Sequence, residues 1–422
     1  MNADDAHELS RLRMALLVIG AGVCAALHVG KLPPAVAALQ QALGLSLVQA
    51  GFAVSLVQLA GMALGVAFGA LADGLGLRRS MLLGLALLAL ASVLGGVAPG
   101  VGVLLATRAL EGLGFLLVVL PAPGLVRRLV PPQRVSLVLG LWGAYMPLAT
   151  ALALLAGPPW IAAFGWRSWW WLLGAVAAAA AIALARGVPA SVDAIGAAGA
   201  PAASPTPWAA RLAHTLGARG PWLVAVAFAM YSGQWLAVIG FLPTIYTAAG
   251  VSGAATGALS ALVAAVNMAG NIAAGRLLHR GVRQPLLLAV GYVAMALAAV
   301  LAFAGGDGAA PAWLRYAALL AFSMLGGMIP ATLFSLAVRL APGEHTLSTT
   351  VGWVQQWSSF GQFAGPPLVA WVASRAGGWH WTWVATGACS LAGLVLTAAI
   401  ARTLRQRAAA RSAGVSLPPR RP

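Results

Sequence analysis

Long runs of apolar residues, nearly free of charge, alternate with short polar segments along almost the whole chain. An α-helix needs about 20 apolar residues to cross a bilayer, so these runs predict membrane-spanning helices. The pattern predicts twelve helices, near 13–36, 47–72, 80–98, 103–126, 135–158, 166–186, 220–246, 253–278, 284–304, 313–338, 347–374 and 379–402. The predicted fold is an all-α membrane protein with helices one to twelve.

Composition supports this fold class, because 61% of the residues are hydrophobic and only 8% are charged. Soluble domains carry about 25% charged residues. The net charge of +17 would suggest nucleic acid in a soluble protein, but the arginines here lie in short segments between apolar runs. We therefore expect a lipid bilayer and no nucleic acid as partner.

The distribution of positive charge predicts the orientation in the membrane. With the amino terminus inside, 20 of the 25 Lys and Arg residues are cytosolic. The other five, which lie within spans or towards the outer side, are Lys31, Arg108, Arg167, Arg315 and Arg375. Positively charged loops face the cytosol, so we expect a multi-pass protein of a bacterial-type inner membrane with both termini cytosolic.

The chain divides into two similar halves. A segment rich in Ala, Gly, Pro and Ser, residues 187–219, separates a six-helix bundle at 13–186 from one at 220–402, with a cytosolic tail at 1–12 and a basic tail at 403–422. Gly157-Pro158-Pro159 in helix five is echoed by Gly365-Pro366-Pro367 in helix eleven. These echoes predict a repeated six-helix unit.

The turn after helix two, GALADGLGLRR from Gly69 to Arg79, combines glycines with an acid and two arginines. It resembles the signature turn of the major facilitator superfamily, with Gly69, Asp73, Gly76 and Arg79 at matching positions and Gly74 in place of the family's first arginine. In the corresponding turn of the second half, His279 replaces the aspartate. The resemblance implies two six-helix bundles with inverted repeats and alternating access. It also implies a cytosolic latch in which Asp73 grips a partner, with Gly69, Gly76 and Arg79 as further gating residues.

Two further stretches carry the resemblance. Helix four opens with TRALEGLG from Thr107, where Glu111 replaces the family's usual glutamine, and FGWR from Phe164 is the family's entry to helix six. The antiporter signature of helix five is poorly met at Tyr145 to Thr150, which lowers the expectation of a drug efflux pump. The helix-four stretch and HVGKLPP from His28 are similar to the cyanate and nitroimidazole transporter group, a likeness that names no substrate.

Charges inside predicted spans give the strongest candidates for a substrate or coupling site. Arg108 and Glu111 are three residues apart and share a helical face, and Lys31 lies towards the outer end of helix one. A charge near the bilayer centre costs about 2.5 to 3.5 kcal/mol, so embedded charges face protein or a wet cavity. Two hypotheses follow. In the first, Arg108 and Lys31 attract an anion while Glu111 carries a proton; in the second, Arg108 and Glu111 form a static ion pair and Lys31 extends to the membrane interface.

Uncharged polar and aromatic residues are weaker candidates. Tyr145, Tyr231, Gln234 and Gln355 could bind substrate or serve as interhelical hydrogen-bond partners. Gly61, Gly65 and Gly69 recur every four residues and predict a close approach of helix two to a neighbour. The tryptophans from Trp166 to Trp171 are interpreted as an aromatic belt at the outer interface.

The predicted function is secondary active transport by alternating access, with proton-coupled uptake, or symport, of a small organic or inorganic anion. The alternatives are proton-driven efflux of drugs or metabolites and a transporter-like sensor. An enzyme is not expected, because the chain has no GxxxxGK[ST] loop and no His, Cys or carboxylate cluster with metal-ligand spacing. We expect no cofactor and no metal, a proton gradient as energy source, and a monomer.

Overall fold

The computed structural model describes residues 3–193, 207–305 and 310–412, and within these ranges it is almost entirely helical. The side chains of residues 68–74 are not among those described. The architecture is that of a multi-pass, all-α membrane protein, as the apolar pattern predicts.

The first six predicted helices are present, several of them as consecutive pieces. Their bounds are Ala3–Gly30, Pro33–Ala35 and Val36–Leu43 for helix one; Leu47–Ser55, Leu56–Gln58 and Leu59–Leu75 for helix two; Leu77–Gly96 for helix three; Val101–Val119 and Ala122–Leu129 for helix four; and Pro132–Trp142 and Tyr145–Gly187 for helices five and six.

The second six helices follow the same order. Their bounds are Arg219–Ala248 for helix seven, Gly253–His279 for helix eight, Gln284–Phe303 for helix nine, Ala312–Gly326 and Met328–Leu340 for helix ten, Leu347–Ala376 for helix eleven, and Trp379–Trp381 and Thr382–Ser412 for helix twelve.

Ten segments of the described residues are long and apolar enough to span a membrane. One of them, Val138–Gly187, contains Gly165 with a φ of 80°, and helix five passes into helix six at this glycine. Leu347–Ala376 is a 30-residue helix outside these ten, and it contains the polar residues Gln355, Gln356 and Gln362. Dividing Val138–Gly187 at Gly165 and adding helix eleven gives twelve long helices within the described ranges, although helix eleven is not among the ten apolar segments.

The two halves share a turn geometry as well as a helix order. Gly76 precedes helix three with a φ of 88°, and Gly281 lies between helices eight and nine with a φ of 84°. A left-handed backbone of this kind favours glycine, because a Cβ atom would clash there. The repeat predicted from the sequence therefore extends to the backbone of the two matching turns.

The predicted linker contains a helix that the sequence pattern did not indicate. Trp208–Gly217 precedes helix seven, and its Trp222 neighbour in helix seven donates a hydrogen bond to the Leu216 carbonyl at 2.8 Å. The linker segment at residues 194–206 lies outside the described ranges.

The bundles meet where helix two packs against helix eleven. A Cβ atom on Gly51 would lie 2.8 Å from the Pro367 Cα, one on Gly61 would lie 2.5 Å from the Ser359 Oγ, and one on Gly65 would lie 3.0 Å from the Gln356 Cβ. Small residues allow backbones to approach this closely. The close approach predicted from Gly61 and Gly65 is present, and helix eleven is the neighbour.

The interpretation of the tryptophans of helix six as an interfacial belt is wrong for Trp169 and Trp170. Their exposed fractions are 2% and 0%, and both rings lie inside the first bundle. The Trp169 Nε1 donates to the Lys31 carbonyl at 3.1 Å. A rule based on proximity to the predicted span end cannot say which face of a helix turns inward.

Candidate functional site

A cluster of ionisable side chains lies inside the first bundle between helices one and four. His28 lies in the last turn of Ala3–Gly30 and Lys31 directly follows that helical piece. Helix four supplies Arg108 and Glu111, which are three residues apart and share a face. All four side chains are 0% exposed. We refer to these four residues as the charged cluster.

Glu111 is the centre of the charged cluster. One carboxylate oxygen, Oε1, accepts a hydrogen bond from the Lys31 Nζ, and the other, Oε2, accepts from the Arg108 Nη1. The His28 Nδ1 lies 3.7 Å from Oε1 and 3.5 Å from the Lys31 Nζ. Two cations thus share one anion, and if His28 is neutral the formal charge of the cluster is +1.

The surroundings hold the charged cluster in place from three more helices. The Arg108 Nε donates to the Ala53 carbonyl of helix two at 2.9 Å. The Lys31 Nζ donates to the Ser92 Oγ of helix three at 2.9 Å and lies 4.7 Å from the centre of the Trp170 ring of helix six. Buried charges need such partners, because isolated ions are costly away from water.

Two nitrogen atoms of the charged cluster are buried without a hydrogen-bond partner among the described residues. They are the Arg108 Nη2 and the His28 Nε2. The neighbouring Arg108 Nη1 is fully used, since it donates to the His28 carbonyl at 2.7 Å as well as to Glu111. An unpaired buried donor on a guanidinium is uncommon and calls for a water or an ion that completes it.

The sequence predicted part of this cluster. Arg108 and Glu111 form the contact that their spacing indicated, and Lys31 turns inward to Glu111 instead of extending to the membrane interface. His28, Ser92 and Trp170 were not singled out as site residues. The three-residue spacing of His28 and Lys31 indicates that His28 lies near the site, whereas nothing in the sequence pairs Ser92 with helix one.

The contacts described for the uncharged candidates are with residues other than the charged cluster. Tyr145 stacks on Trp142 with ring centres 4.5 Å apart. The Tyr231 hydroxyl accepts from Asn267 at 3.0 Å and the Gln234 Oε1 accepts from Ser390 at 3.0 Å, so both take part in bonds within the second bundle. Gln355 is partly buried in helix eleven. The hydrogen bonds of Tyr231 and Gln234 are those of interhelical polar pairs.

The signature turn is held by an acid that the sequence did not single out. The Asp193 carboxylate accepts hydrogen bonds from the backbone N–H of Arg78 at 3.0 Å and of Arg79 at 3.3 Å. A Cβ atom on Gly76 would lie 2.8 Å from the Asp193 Oδ2. Unpaired amides at a helix start attract a carboxylate, so Asp193 caps helix three.

The same turn binds the end of helix six through an arginine. The Arg78 Nε donates to the Val188 carbonyl at 2.6 Å and its Nη2 donates to the Ala185 carbonyl at 2.7 Å. The segment from helix six to Asp193 is therefore fastened to the turn by both side chains and backbone. The Asp73 side chain is not described, so its predicted latch role stays a prediction, as do the gating roles of Gly69, Gly76 and Arg79.

Glutamine side chains connect the two bundles. The Gln58 Nε2 donates to the Gln362 Oε1 at 3.1 Å. The Gln356 Nε2 donates to the Met62 carbonyl at 2.8 Å, and its Oε1 accepts from the backbone N–H of Val66 at 3.0 Å. Met62 and Val66 are four residues apart, so this one amide bridges two backbone groups that pair with each other in an ordinary α-helix.

The chain forms two linked helical bundles with a buried charged cluster in one of them and polar contacts between them. This arrangement is typical of a membrane transporter. A family model described as Major Facilitator Superfamily matches residues 18–350, most of the chain. The chain belongs to this superfamily, which confirms the resemblance seen in the signature turn and in helix four.

Individual relatives agree with this assignment. The cyanate transport protein CynX of Escherichia coli is 28% identical over 327 residues, which cover 75% of this chain and 77% of that protein. An uncharacterized MFS-type transporter of Mycobacterium tuberculosis, Rv1250, is 31% identical over 99 residues, or 24% of this chain and 17% of its own length. The likeness to a cyanate transporter noted in the sequence is thereby confirmed.

Solved structures share the fold at low sequence identity. A bacterial homologue of the human lysosomal transporter Spinster, in an inward-facing and unoccupied conformation, has a TM-score of 0.75 and 15% identity, with 94% of this chain and 98% of that chain covered. A D-xylose-proton symporter has a TM-score of 0.68 and 16% identity, with 90% and 96% covered. These similarities concern the fold.

Proposed function

We propose that this protein takes up a small monovalent anion together with protons, and that the charged cluster is its binding and coupling site. The observation on which this rests is the Arg108 Nη2, which has no hydrogen-bond partner among the described residues and lies in a fully buried cluster of formal charge +1. One monovalent anion would give that donor an acceptor and neutralise the surplus charge. The family membership supports transport, and the similarity to a cyanate transport protein supports a small anion.

The geometry suggests how the anion and the proton are coupled. Glu111 forms ion pairs with both Lys31 and Arg108. An anion that takes either cation as its partner leaves the carboxylate with less positive charge nearby, and a buried carboxylate without such partners takes up a proton. Anion and proton binding then favour each other, as linkage requires, and the two travel together.

The static ion pair remains the competing explanation for the same contacts. The cluster lies within one bundle and joins helices one and four, which a structural tie also requires. The two explanations differ in one measurable respect. A tie alone predicts that loss of the Glu111 charge lowers stability without changing how transport depends on the pH gradient.

The test is uptake of labelled cyanate into liposomes that contain the purified protein, with an imposed pH gradient. We expect accumulation in the wild type. In Glu111→Gln we expect gradient-driven accumulation to be lost while exchange of labelled for unlabelled anion persists. Glu344→Gln is the matched control, because it makes the same chemical change at an exposed glutamate outside the cluster.

Each alternative predicts its own result. Unaltered gradient-driven uptake in Glu111→Gln would remove that residue from coupling. Flux of drugs without flux of anions would favour the efflux function, and ligand binding without any flux would favour a sensor. A thermal unfolding scan of each variant separates a loss of fold from a loss of coupling.

A further inference from the structure

A pair of histidines, neither of which belongs to the charged cluster, joins the linker helix to the second bundle. His214 lies in the last turn of Trp208–Gly217, and His345 lies in the 3₁₀ turn Glu344–Thr346 that precedes helix eleven. The His214 Nδ1 and the His345 Nε2 are 3.5 Å apart, and the ring centres are 5.8 Å apart. Both side chains are exposed.

The separation of the two nitrogens is that of two ligands on one metal ion. Zinc and similar ions bind imidazole nitrogen at about 2.0 to 2.1 Å in tetrahedral geometry, which places two such nitrogens about 3.3 Å apart. Neutral imidazole is a preferred ligand of zinc, copper and nickel. The pair now forms a hydrogen bond from one ring N–H to the other ring nitrogen. A metal would take the place of that proton, which moves to the other nitrogen of the same ring, while the two nitrogens approach by a few tenths of an ångström and turn towards one shared point.

The charges around the pair do not oppose a cation strongly. His214 lies near a helix carboxyl terminus, where the partial negative charge favours cations. Glu344, next to His345, adds a negative charge, while Arg211, one helical turn before His214, adds a positive one. Among the described residues no three His, Cys, Asp or Glu side chains converge on one point, so water would complete the coordination.

We propose that His214 and His345 form a two-histidine site for a divalent transition metal, and that the bound metal tethers the linker helix to the start of helix eleven. The two residues are 131 positions apart, so a metal between them closes a long loop of the chain. Helix eleven also contacts helix two of the other bundle through Gln356. The tether fixes the linker helix to an element at the interface between the bundles.

The experiment uses the full-length protein without a polyhistidine tag and Ni²⁺ or Zn²⁺ alone as the probe. Calorimetry should show saturable binding to the wild type. His214→Ala and His345→Ala should each lower the affinity at least about tenfold, because either change removes chelation. His279→Ala is the matched control, since it removes an exposed histidine elsewhere and should leave the affinity unchanged.

Hydrogen exchange of the backbone amides tests whether the metal binds at the linker helix. If opening of the linker helix breaks the site, metal at ten times its Kd should slow exchange of the Trp208–Gly217 amides about tenfold in the wild type and not in either variant. Equal affinity in the double variant His214→Ala/His345→Ala would overturn the proposal. Metal binding without slower exchange in this helix would overturn the tether. Neither result depends on whether the protein transports an anion.

Discussion

At the scale of single residues, the charged cluster is stable because each buried charge has a partner of opposite charge. Glu111 is completely buried and has a cation on each carboxylate oxygen. Removing one partner of such a group leaves an uncompensated buried charge, which typically costs about 3 to 5 kcal/mol. The cluster therefore has to be assembled as a unit, whether it binds substrate or ties helices together.

Asp193 offers a test at the same scale. Asp193→Ala removes the acceptor for the first amides of helix three and should destabilise that helix start by about 1 kcal/mol, the usual value of a lost amino-terminal cap. We expect faster hydrogen exchange at Arg78 and Arg79, whose N–H groups it binds.

Asp193→Asn separates geometry from charge. Its amide oxygen still accepts hydrogen bonds but has no net charge to interact with the helix start, so exchange should lie between that of wild type and Asp193→Ala. Glu344→Ala is a control for loss of a carboxylate elsewhere. Unchanged exchange at Arg78 and Arg79 in Asp193→Ala would show that this contact does not hold the turn.

At the scale of helices, the contact between helices two and eleven combines close packing with a few polar bonds. The glycines of helix two bring the backbones together, and Gln58, Gln362 and Gln356 form hydrogen bonds across the gap. Alternating access requires the bundles to rock against each other. Hydrogen bonds worth about 1 kcal/mol each hold one arrangement without making it permanent.

Gln356→Leu tests the interface. Leucine can neither donate to the Met62 carbonyl nor accept from the Val66 N–H, so both hydrogen bonds from this side chain to helix two are lost. Two lost bonds, about 2 kcal/mol, should shift the population about thirtyfold towards the arrangement in which the helices separate. Spin labels near residues 67 and 350 would report the distance. Gln355→Leu removes the neighbouring amide and should leave the distribution unchanged; equal shifts in both variants would contradict the role of Gln356.

At the scale of the whole molecule, the repeat and the charge distribution determine the expected topology. Within the described residues each half contains six long helices, and glycines with left-handed backbones, Gly76 and Gly281, occur in matching turns. If each of these helices crosses the membrane, six helices in each half would put the two termini and the linker on the same side. The concentration of arginine on that side predicts that it is cytosolic.

Labelling with a membrane-impermeant maleimide checks this orientation. Cys24 and Cys389 would first be replaced by serine. Ala249→Cys, between helices seven and eight, should react in intact cells, and Ala213→Cys, in the linker helix, only after lysis. Both positions are exposed, so accessibility to water is matched. Reaction of Ala213→Cys in intact cells would reverse the predicted topology.

The sequence by itself determined the fold class, the order of the helices and the family. Apolar length is a local property, since a bilayer requires about 20 apolar residues wherever the span lies in the chain. The spacing of Arg108 and Glu111 was also local, because residues three apart on a helix are neighbours in any fold. The close-packing glycines of helix two follow the same rule.

Only the tertiary structure decided which helices these residues meet. Lys31 and Glu111 are 80 positions apart, Gln356 and Val66 are 290 apart, and Asp193 lies in a linker without any motif. Local patterns contain no information on such partners, because the partners are determined by how whole helices pack. For the same reason the sequence predicted an interfacial belt where Trp169 and Trp170 are buried, since helical periodicity gives a face but not the neighbour that covers it.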